Sequence, residues 1–196
     1  MRIGVSFPQS EIGADTDGIR AYAQAIEDLG YTHVTCGEHI VGVDTKRPGF
    51  VPRQGMPKDL RDIAYPYQEP LTFFAFLAGL TKRIELLSSV LILPQRQTVV
   101  VAKQAAQVDN ASGGRLRIGI GSGWSEYEYE SLGMDFHTRG RRMEEQVTIL
   151  RGPLDAEDRH LQDALAHDGG NRHQPAPDAT PHPDLVWRRR ERAPAA

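Results

Sequence analysis

One run of ten residues, Ile84 to Leu93, restricts the possible folds of this chain more than any other feature. The run reads Ile-Glu-Leu-Leu-Ser-Ser-Val-Leu-Ile-Leu and is almost continuously apolar. Such a run is typical of a strand in a parallel sheet, because a parallel strand is buried on both faces. Parallel neighbours cannot be joined by a tight turn and need a crossover, usually a helix. The run therefore predicts a fold in which strands alternate with helices.

The first 150 residues have this alternation throughout. The strand patterns lie at 2–7, 32–36, 84–93 and 116–120, and the helical patterns run over 15–29, from 70, over 97–110 and from 138. Asp15 is a suitable N-cap, Pro70 suits a first helical turn, and Gly30 is a good helix stop. No two strand patterns are joined by a hairpin. The sequence therefore predicts an α/β fold with four β/α units in one parallel sheet.

Composition excludes several classes of function. The chain has 196 residues and a net charge of −3, with an isoelectric point near 6.2, so it lacks the basic stripe of a nucleic-acid-binding protein. Residues 1–7 have no signal-peptide core, and no apolar run is long enough to cross a membrane. We expect a cytoplasmic protein without nucleic-acid or membrane partners. Cys36, the only cysteine, lies in an apolar strand pattern and is expected to be a buried structural thiol.

The segment from Ile40 to Pro66 is rich in Pro, Gly, Lys and Arg and has little periodicity. It is too long for an ordinary connection inside a compact domain. Such loops are usually functional or mobile.

Glycines crowd the end of the fourth strand pattern, in the stretch Ser112 to Trp124. Gly119, Gly121 and Gly123 leave this end almost bare of side chains, so a flat molecule could approach the backbone closely. The alternative is that the glycines only relieve packing within the sheet. A dinucleotide-binding fingerprint would need a third glycine where Trp124 stands, which counts against a glycine-rich Rossmann loop.

Several charged residues have an ordinary structural interpretation. We expect Glu126 and Glu128 to be solvated members of an acidic patch. Arg139 and Arg142 could bind a phosphate, although salt bridges on a helix surface are the more frequent role. His33, inside a strand pattern, is expected to be a core residue.

Taken together in their order, the motifs of residues 1–150 resemble luciferase-like monooxygenases, particularly the branch that uses the deazaflavin coenzyme F420. The motifs are Gly37-Glu38-His39, Ser88-Ser-Val-Leu-Ile-Leu-Pro-Gln-Arg96, Ala102-Lys-Gln104, Asp109, Ser112-Gly-Gly-Arg115, Gly119-Ile-Gly-Ser-Gly-Trp124, Glu126, Leu132-Gly133, Phe136, Arg139-Gly140 and Arg142–Glu145.

The resemblance implies a TIM (β/α)8 barrel, of which this chain contains the first half, about four β/α units. Chemistry in such barrels sits at the carboxyl ends of the strands. The implied function is a flavin- or deazaflavin-dependent oxidoreductase or monooxygenase acting on a small organic substrate. Coenzyme F420 is the expected cofactor and FMN the alternative, and no metal is implied. The implied cofactor-binding residues are Ser88, Ser89, Val90, Gly121, Ser122, Gly123 and Trp124.

The resemblance also implies a non-proline cis peptide bond, which we predict between Ser89 and Val90. It implies that His39 lies beside the ring system, where an imidazole can act as general acid or base. Glu38 is the second catalytic candidate. An equal alternative is that Glu38 anchors Arg96 or Arg115.

Residues 152–196 do not resemble the family. They hold six of the thirteen prolines and four of the seven histidines, and their low hydrophobicity favours disorder. Back-translation with GC-rich codons and a shifted frame yields family-like strands, so we hypothesise a frameshift near Arg151, which the encoding DNA would test. The expected organisation is a partial barrel domain at 1–151 and a tail at 152–196. Half a barrel has two open edges, which favour aggregation or a homo-oligomer, and the alternative function is an inactive fragment or cofactor-binding module.

Overall fold

The computed structural model describes residues 1–42 and 65–151. Most of the segment predicted as a functional or mobile loop, and the whole predicted tail 152–196, lie outside the described residues. The chain divides into two compact units, Met1–Met143 and Glu144–Ala196. The first unit contains the sheet and the candidate site.

Four parallel strands form one sheet, as the alternating pattern predicts. They are β1 Gly4–Ser6, β2 His33–Cys36, β3 Glu85–Ile92 and β4 Leu116–Gly121, in the order β1-β2-β3-β4. The α/β fold class with four parallel strands is therefore confirmed, and sequential order is that of consecutive strands in a (β/α)8 barrel.

Six helices accompany the strands in the described residues. They are α1 Gln9–Ile12, α2 Thr16–Asp28, α3 Pro70–Leu80, α4 Thr98–Ser112, α5 Glu126–Ser131 and α6 Arg139–Arg151. Short 3-10 turns lie at Leu93–Gln95 and Phe136–Thr138. The hydrophobic pattern does not predict α1 and α5, because one or two helical turns are too few to establish a 3.6-residue period.

Local signals set the ends of the longer helices. The Asp15 side chain accepts a hydrogen bond from the Asp17 N–H at the start of α2, and Gly30 follows the helix with a φ of 81°. The Glu69 carboxylate caps α3, whose first residue is Pro70. These ends agree with the predicted caps, because a side-chain acceptor satisfies N–H groups that the first turn leaves without partners.

Helix α3 supplies much of the core on one side of the sheet. Its buried residues include Leu71, Phe74, Leu77 and Ala78. Phe73 is also buried, whereas Ala75 is exposed. The helix is apolar almost all round, so hydrophobicity alone does not determine which of its faces is buried.

Two side chains hold the connection between α3 and β3 at the amino end of the sheet. The Glu27 carboxylate accepts hydrogen bonds from the backbone N–H groups of Lys82, Arg83 and Ile84. Arg115 donates to the carbonyl of Ile84 at 2.7 Å and to other acceptors at the end of α3. Arg115 is therefore engaged far from Glu38, which removes it as the partner of that carboxylate.

Cys36 is fully buried at the end of β2. Burial, together with the nearby carboxylates, raises the pKa of its thiol to about 12, so the thiolate is disfavoured. The prediction of a structural thiol is confirmed. None of the helices in the described part of the chain is both long and apolar enough to span a bilayer.

Candidate cofactor site

A cavity of about 630 Å³ opens at the carboxyl ends of β2, β3 and β4. Its lining combines apolar, aromatic and polar groups. The lining residues are Gly37, Glu38, His39, Tyr67, Ser89, Val90, Ile92, Ser122, Gly123, Trp124, Phe136 and Arg139. Seven of the nine predicted site residues are among them. Cavities of this size and composition commonly hold small organic ligands.

The floor of the cavity comes from an irregular stretch of β3. The register between β3 and β4 shifts between Ser88 and Leu91, and the Ser89–Val90 peptide bond is cis, as predicted. Val90 is 41% exposed although Leu91 beside it is fully buried. An exposed valine at the end of a buried strand presents an apolar surface to whatever enters the cavity.

Ser88, predicted to contact the cofactor, lies behind this floor. Its side chain is buried, and its hydroxyl donates to the Gly119 carbonyl at 2.9 Å. Ser88 does not line the cavity. It contributes by fixing β4 against the irregular part of β3.

The glycines of β4 make room for β3. A Cβ atom on Gly119 would lie 2.4 Å from the Ser88 carbonyl oxygen, and one on Gly121 would lie 2.6 Å from a Val90 methyl group. Gly121 does not line the cavity. The alternative that the glycines relieve packing within the sheet therefore describes Gly121 better than a contact with a ligand does. Gly123 does line the cavity and has a φ of 68°, a backbone conformation that favours glycine.

His39 follows β2 and lines the cavity with its side chain 15% exposed. Its Nδ1 lies 2.9 Å from Glu128 Oε1. The ring also makes edge contacts with Tyr67, at a centroid distance of 4.7 Å, and with Trp124, at 5.5 Å. The ring is therefore held in one orientation beside the cavity floor.

Glu128 is not solvated, and the expectation that it belongs to an exposed acidic patch is wrong. Its side chain is completely buried, whereas Glu126, two residues earlier on α5, is exposed as expected. Tyr129 beside it is also fully buried, and its hydroxyl donates to the Ser122 carbonyl at 2.6 Å. Burial raises the pKa of Tyr129 to about 12, so the phenol remains a donor. Helix α5 is therefore anchored under the loop that follows β4.

Glu38 serves as an anchor for Arg96. The two side chains form an ion pair in which Glu38 is 1% and Arg96 12% exposed, and Glu38 also accepts a hydrogen bond from the Ile92 N–H. Arg96 pairs in addition with Glu69 at 2.9 Å. Burial raises the pKa of Glu38, and Arg96 opposes that effect. The anchoring alternative is confirmed, with Arg96 as the partner.

Arg139 and Arg142, considered above as phosphate ligands, contact backbone and ring groups of the chain. Arg139 donates to the Phe136 carbonyl at 2.8 Å and stacks over the Phe136 ring at 3.6 Å. Arg142 donates to the Pro94 carbonyl at 3.2 Å. Arg139 thus brings a cation to the edge of the cavity, and its stacking on a ring restricts its position.

The residues present fit a flat heteroaromatic ring with a polar tail. Ser89 and Val90 give a surface of backbone and methyl groups, while His39 and Trp124 stand at its side. Arg139 adds positive charge at the cavity lining. No three His, Cys, Asp or Glu side chains come together as metal ligands would within residues 1–42 and 65–151.

Comparison with known proteins supports the family resemblance that the sequence motifs indicate. The family model described as luciferase-like monooxygenase matches residues 1–187, so the match continues beyond Glu145, where the quoted motifs end, and beyond Arg151. An uncharacterized protein of Mycobacterium tuberculosis is 34% identical over 134 residues, which are 66% of this chain and 45% of that protein. The chain thus spans less than half the length of this relative.

One shorter sequence match and one match of the fold are consistent with this family. Pyrimidine monooxygenase RutA of a Bradyrhizobium strain is 46% identical over 68 residues, covering 34% of this chain and 18% of that enzyme. Among solved structures, the oxygenating constituent of 3,6-diketocamphane monooxygenase from Pseudomonas putida, in complex with FMN, superposes with a TM-score of 0.61 at 18% identity. That match covers 79% of this chain and 39% of the enzyme chain, and it concerns the fold. From the family match and the parallel sheet with its cavity, we conclude that this chain belongs to the luciferase-like monooxygenase family.

Proposed function

We propose that this chain binds a flavin-type cofactor in the cavity and forms the cofactor half of an oxidoreductase that acts on a small organic molecule. The observation that carries the proposal is the cavity itself. It lies at the carboxyl ends of parallel strands, and Ser89, Val90 and His39 all line it. This is the end at which barrels of this class carry their chemistry.

The side chains have separable roles in this proposal. Val90 and the Ser89–Val90 backbone support one face of the ring, and Tyr67 and Trp124 exclude water from its edge. His39 accepts or donates a proton at the ring nitrogen that Glu128 does not contact. When bound, a reduced flavin supplies oxygen activation and a reduced deazaflavin supplies hydride.

Coenzyme F420 is the cofactor we propose first, with FMN second. The order of motifs from Gly37 to Glu145 resembles the F420-using branch and supports the deazaflavin. The FMN bound in the Pseudomonas putida enzyme supports FMN, although only the fold of that enzyme carries over at 18% identity. Titration of the purified chain with each cofactor, in oxidised and reduced form, separates the two. Quenching of fluorescence gives the affinities of the oxidised cofactors, and the absorbance change on binding gives those of the reduced ones.

The titration also tests the proposal as a whole. Saturable binding of either cofactor supports it, and absence of binding to both contradicts it. Binding without turnover of any substrate would favour the second candidate, a cofactor-binding module. The specific observation behind that candidate is that the chain spans 45% of the length of its Mycobacterium tuberculosis relative.

A further inference from the structure

Glu128 occupies an unusual position for a glutamate next to a cavity. Its side chain has no exposed surface, yet it lies on α5, a helix of six residues, immediately after the loop that closes the cavity. A buried carboxylate is costly unless hydrogen bonds or a charge compensate it. The compensating group must therefore lie among its contacts.

The described residues give Glu128 two side-chain donors. His39 Nδ1 lies 2.9 Å from Oε1, and Gln95 Nε2 lies 3.5 Å from Oε2. The second distance is at the limit of a hydrogen bond, so His39 is the principal partner. When Glu128 is ionised its carboxylate can only accept, and Nδ1 then carries the hydrogen of this contact.

That requirement determines what His39 offers to the cavity. A neutral imidazole carries one hydrogen, and if this hydrogen is on Nδ1 then Nε2 has a free lone pair. Edge contacts with Tyr67 and Trp124 hold the plane of the ring. The carboxylate thus selects the tautomer, and the aromatic rings select the orientation. A second group that orients a histidine in this way is a recurring arrangement in metal and acyl-transfer sites.

We infer that Glu128 is a positioning residue that holds His39 as the Nδ1–H tautomer, so that the imidazole presents a hydrogen-bond acceptor to the ligand in the cavity. The ligand group that meets His39 is then a donor, such as a hydroxyl or an N–H. This inference rests on the proposed function only in taking the cavity as the ligand site. The tautomer itself is a property of the chain without any ligand.

The test is a nitrogen NMR spectrum of the histidine side chains in the full chain without cofactor, at pH 9, where an ordinary imidazole is neutral. Comparison with a His39→Gln variant identifies the His39 signals among the seven histidines. We expect Nδ1 to be protonated and Nε2 to resonate as an unprotonated nitrogen. A proton on Nε2, whether alone or together with one on Nδ1, would overturn the inference.

A pair of variants tests the role of the carboxylate. In Glu128→Gln the amide can donate to Nδ1, so we expect the Nε2 signal to shift towards the protonated range. Glu126→Gln makes the same change at an exposed position of the same helix and should leave the His39 signals unchanged. An identical His39 spectrum in both variants would contradict a positioning role. If Glu128→Gln fails to fold, the wild-type spectrum still shows which ring nitrogen of His39 carries the hydrogen, and so still tests the inference.

The failure of this inference is distinguishable from the failure of the proposed function. If a cofactor binds but the spectrum shows the Nε2–H tautomer, the positioning role of Glu128 is contradicted and the proposed function is not. Conversely, if the chain binds neither cofactor but His39 is the expected tautomer, the proposed function is contradicted and the positioning role of Glu128 is supported.

Discussion

At the scale of single residues, the chemistry of the site depends on buried charges that belong to segments distant in sequence. Glu38 pairs with Arg96, and Glu128 pairs with His39, 89 residues earlier in the chain. The motif Gly37-Glu38-His39 identifies two members of these pairs. Glu128 escapes prediction because three glutamates at alternate positions look like an exposed patch, and nothing nearby indicates a partner. The Ser125-x-x-Glu128 spacing has the form of a capping box, but the Ser125 side chain makes no capping hydrogen bond at the start of α5.

The Glu38–Arg96 pair gives a first prediction. Replacing Glu38 with Gln leaves the guanidinium of Arg96 with less compensation in a site where it is only 12% exposed. Glu69 still pairs with Arg96 in this variant, so the expected cost is the roughly 1 to 3 kcal/mol of a buried donor that loses one partner. Chemical denaturation of Glu38→Gln should show a loss of about that size, and the exposed Glu126→Gln should show almost none. Equal stability of the two variants would contradict an anchoring role for Glu38.

The glycines of β4 give a second prediction. Gly119→Ala would bring a methyl group against the Ser88 carbonyl oxygen, and backbone cannot move aside cheaply. We expect a loss of roughly 1 to 3 kcal/mol in the free energy of unfolding. Gly79→Ala is the matched control, because a Cβ at this helical position meets nothing within 4 Å. The control should gain about 0.5 to 1 kcal/mol. A Gly119→Ala variant as stable as Gly79→Ala would show that crowding by β3 is not the reason for Gly119.

At the scale of elements, strands and long helices follow from local patterns, and the short pieces do not. The run 84–93 predicts β3, observed as Glu85–Ile92, and the Asp15 and Pro70 signals predict the starts of α2 and α3. Helices α1 and α5 have four and six residues, and their stability comes from tertiary contacts rather than from periodicity. The hydrogen bonds from the backbone of the α3–β3 connection to the Glu27 carboxylate, called here the Glu27 clamp, cannot be predicted from local patterns either, because Glu27 lies on α2.

The Glu27 clamp gives a third prediction. Burial works to raise the pKa of Glu27, but its three backbone donors and Arg83 outweigh burial and hold that pKa below its usual value. The stabilisation is therefore present above the unfolded-state pKa of about 4.3 and is lost as the pH falls through the lower pKa of the folded state. Glu27→Gln should reduce the free energy of unfolding at pH 7 by about 1 to 2 kcal/mol.

The pH dependence distinguishes this clamp from ordinary packing. The difference between wild type and Glu27→Gln should shrink as the pH falls below about 4, because the wild-type carboxyl is then protonated as well. Asp28→Asn, at the exposed neighbouring position, should be close to wild type at every pH. A Glu27→Gln variant as stable as Asp28→Asn at pH 7 would argue against the clamp.

At the scale of the whole molecule, four β/α units in sequential order bring the ends of three strands to one cavity. This arrangement could be predicted, because parallel strands joined by helices carry their carboxyl ends to the same edge of the sheet. The details of the cavity could not, because they depend on the shift of register between β3 and β4 and on the contact of Glu128, from α5, with the His39 side chain. Ser88 and Gly121, predicted as ligand contacts, shape that floor from behind.

If the cavity is the cofactor site, Val90 lies against the cofactor ring. The measurement that tests this most directly is the affinity of the full chain for F420 and FMN in two variants, Val90→Asp and Val100→Asp. The two valines are similarly exposed, at 41% and 47%, but Val90 lines the cavity and Val100 lies on α4 outside the lining. Placing a carboxylate beneath the ring should weaken binding at least about tenfold, equivalent to about 1.4 kcal/mol.

We expect Val100→Asp to bind the preferred cofactor as wild type does, and Val90→Asp to lose at least that factor of ten while keeping the circular dichroism spectrum of the folded chain. Equal affinity in the two variants would contradict the assignment of this cavity as the cofactor site.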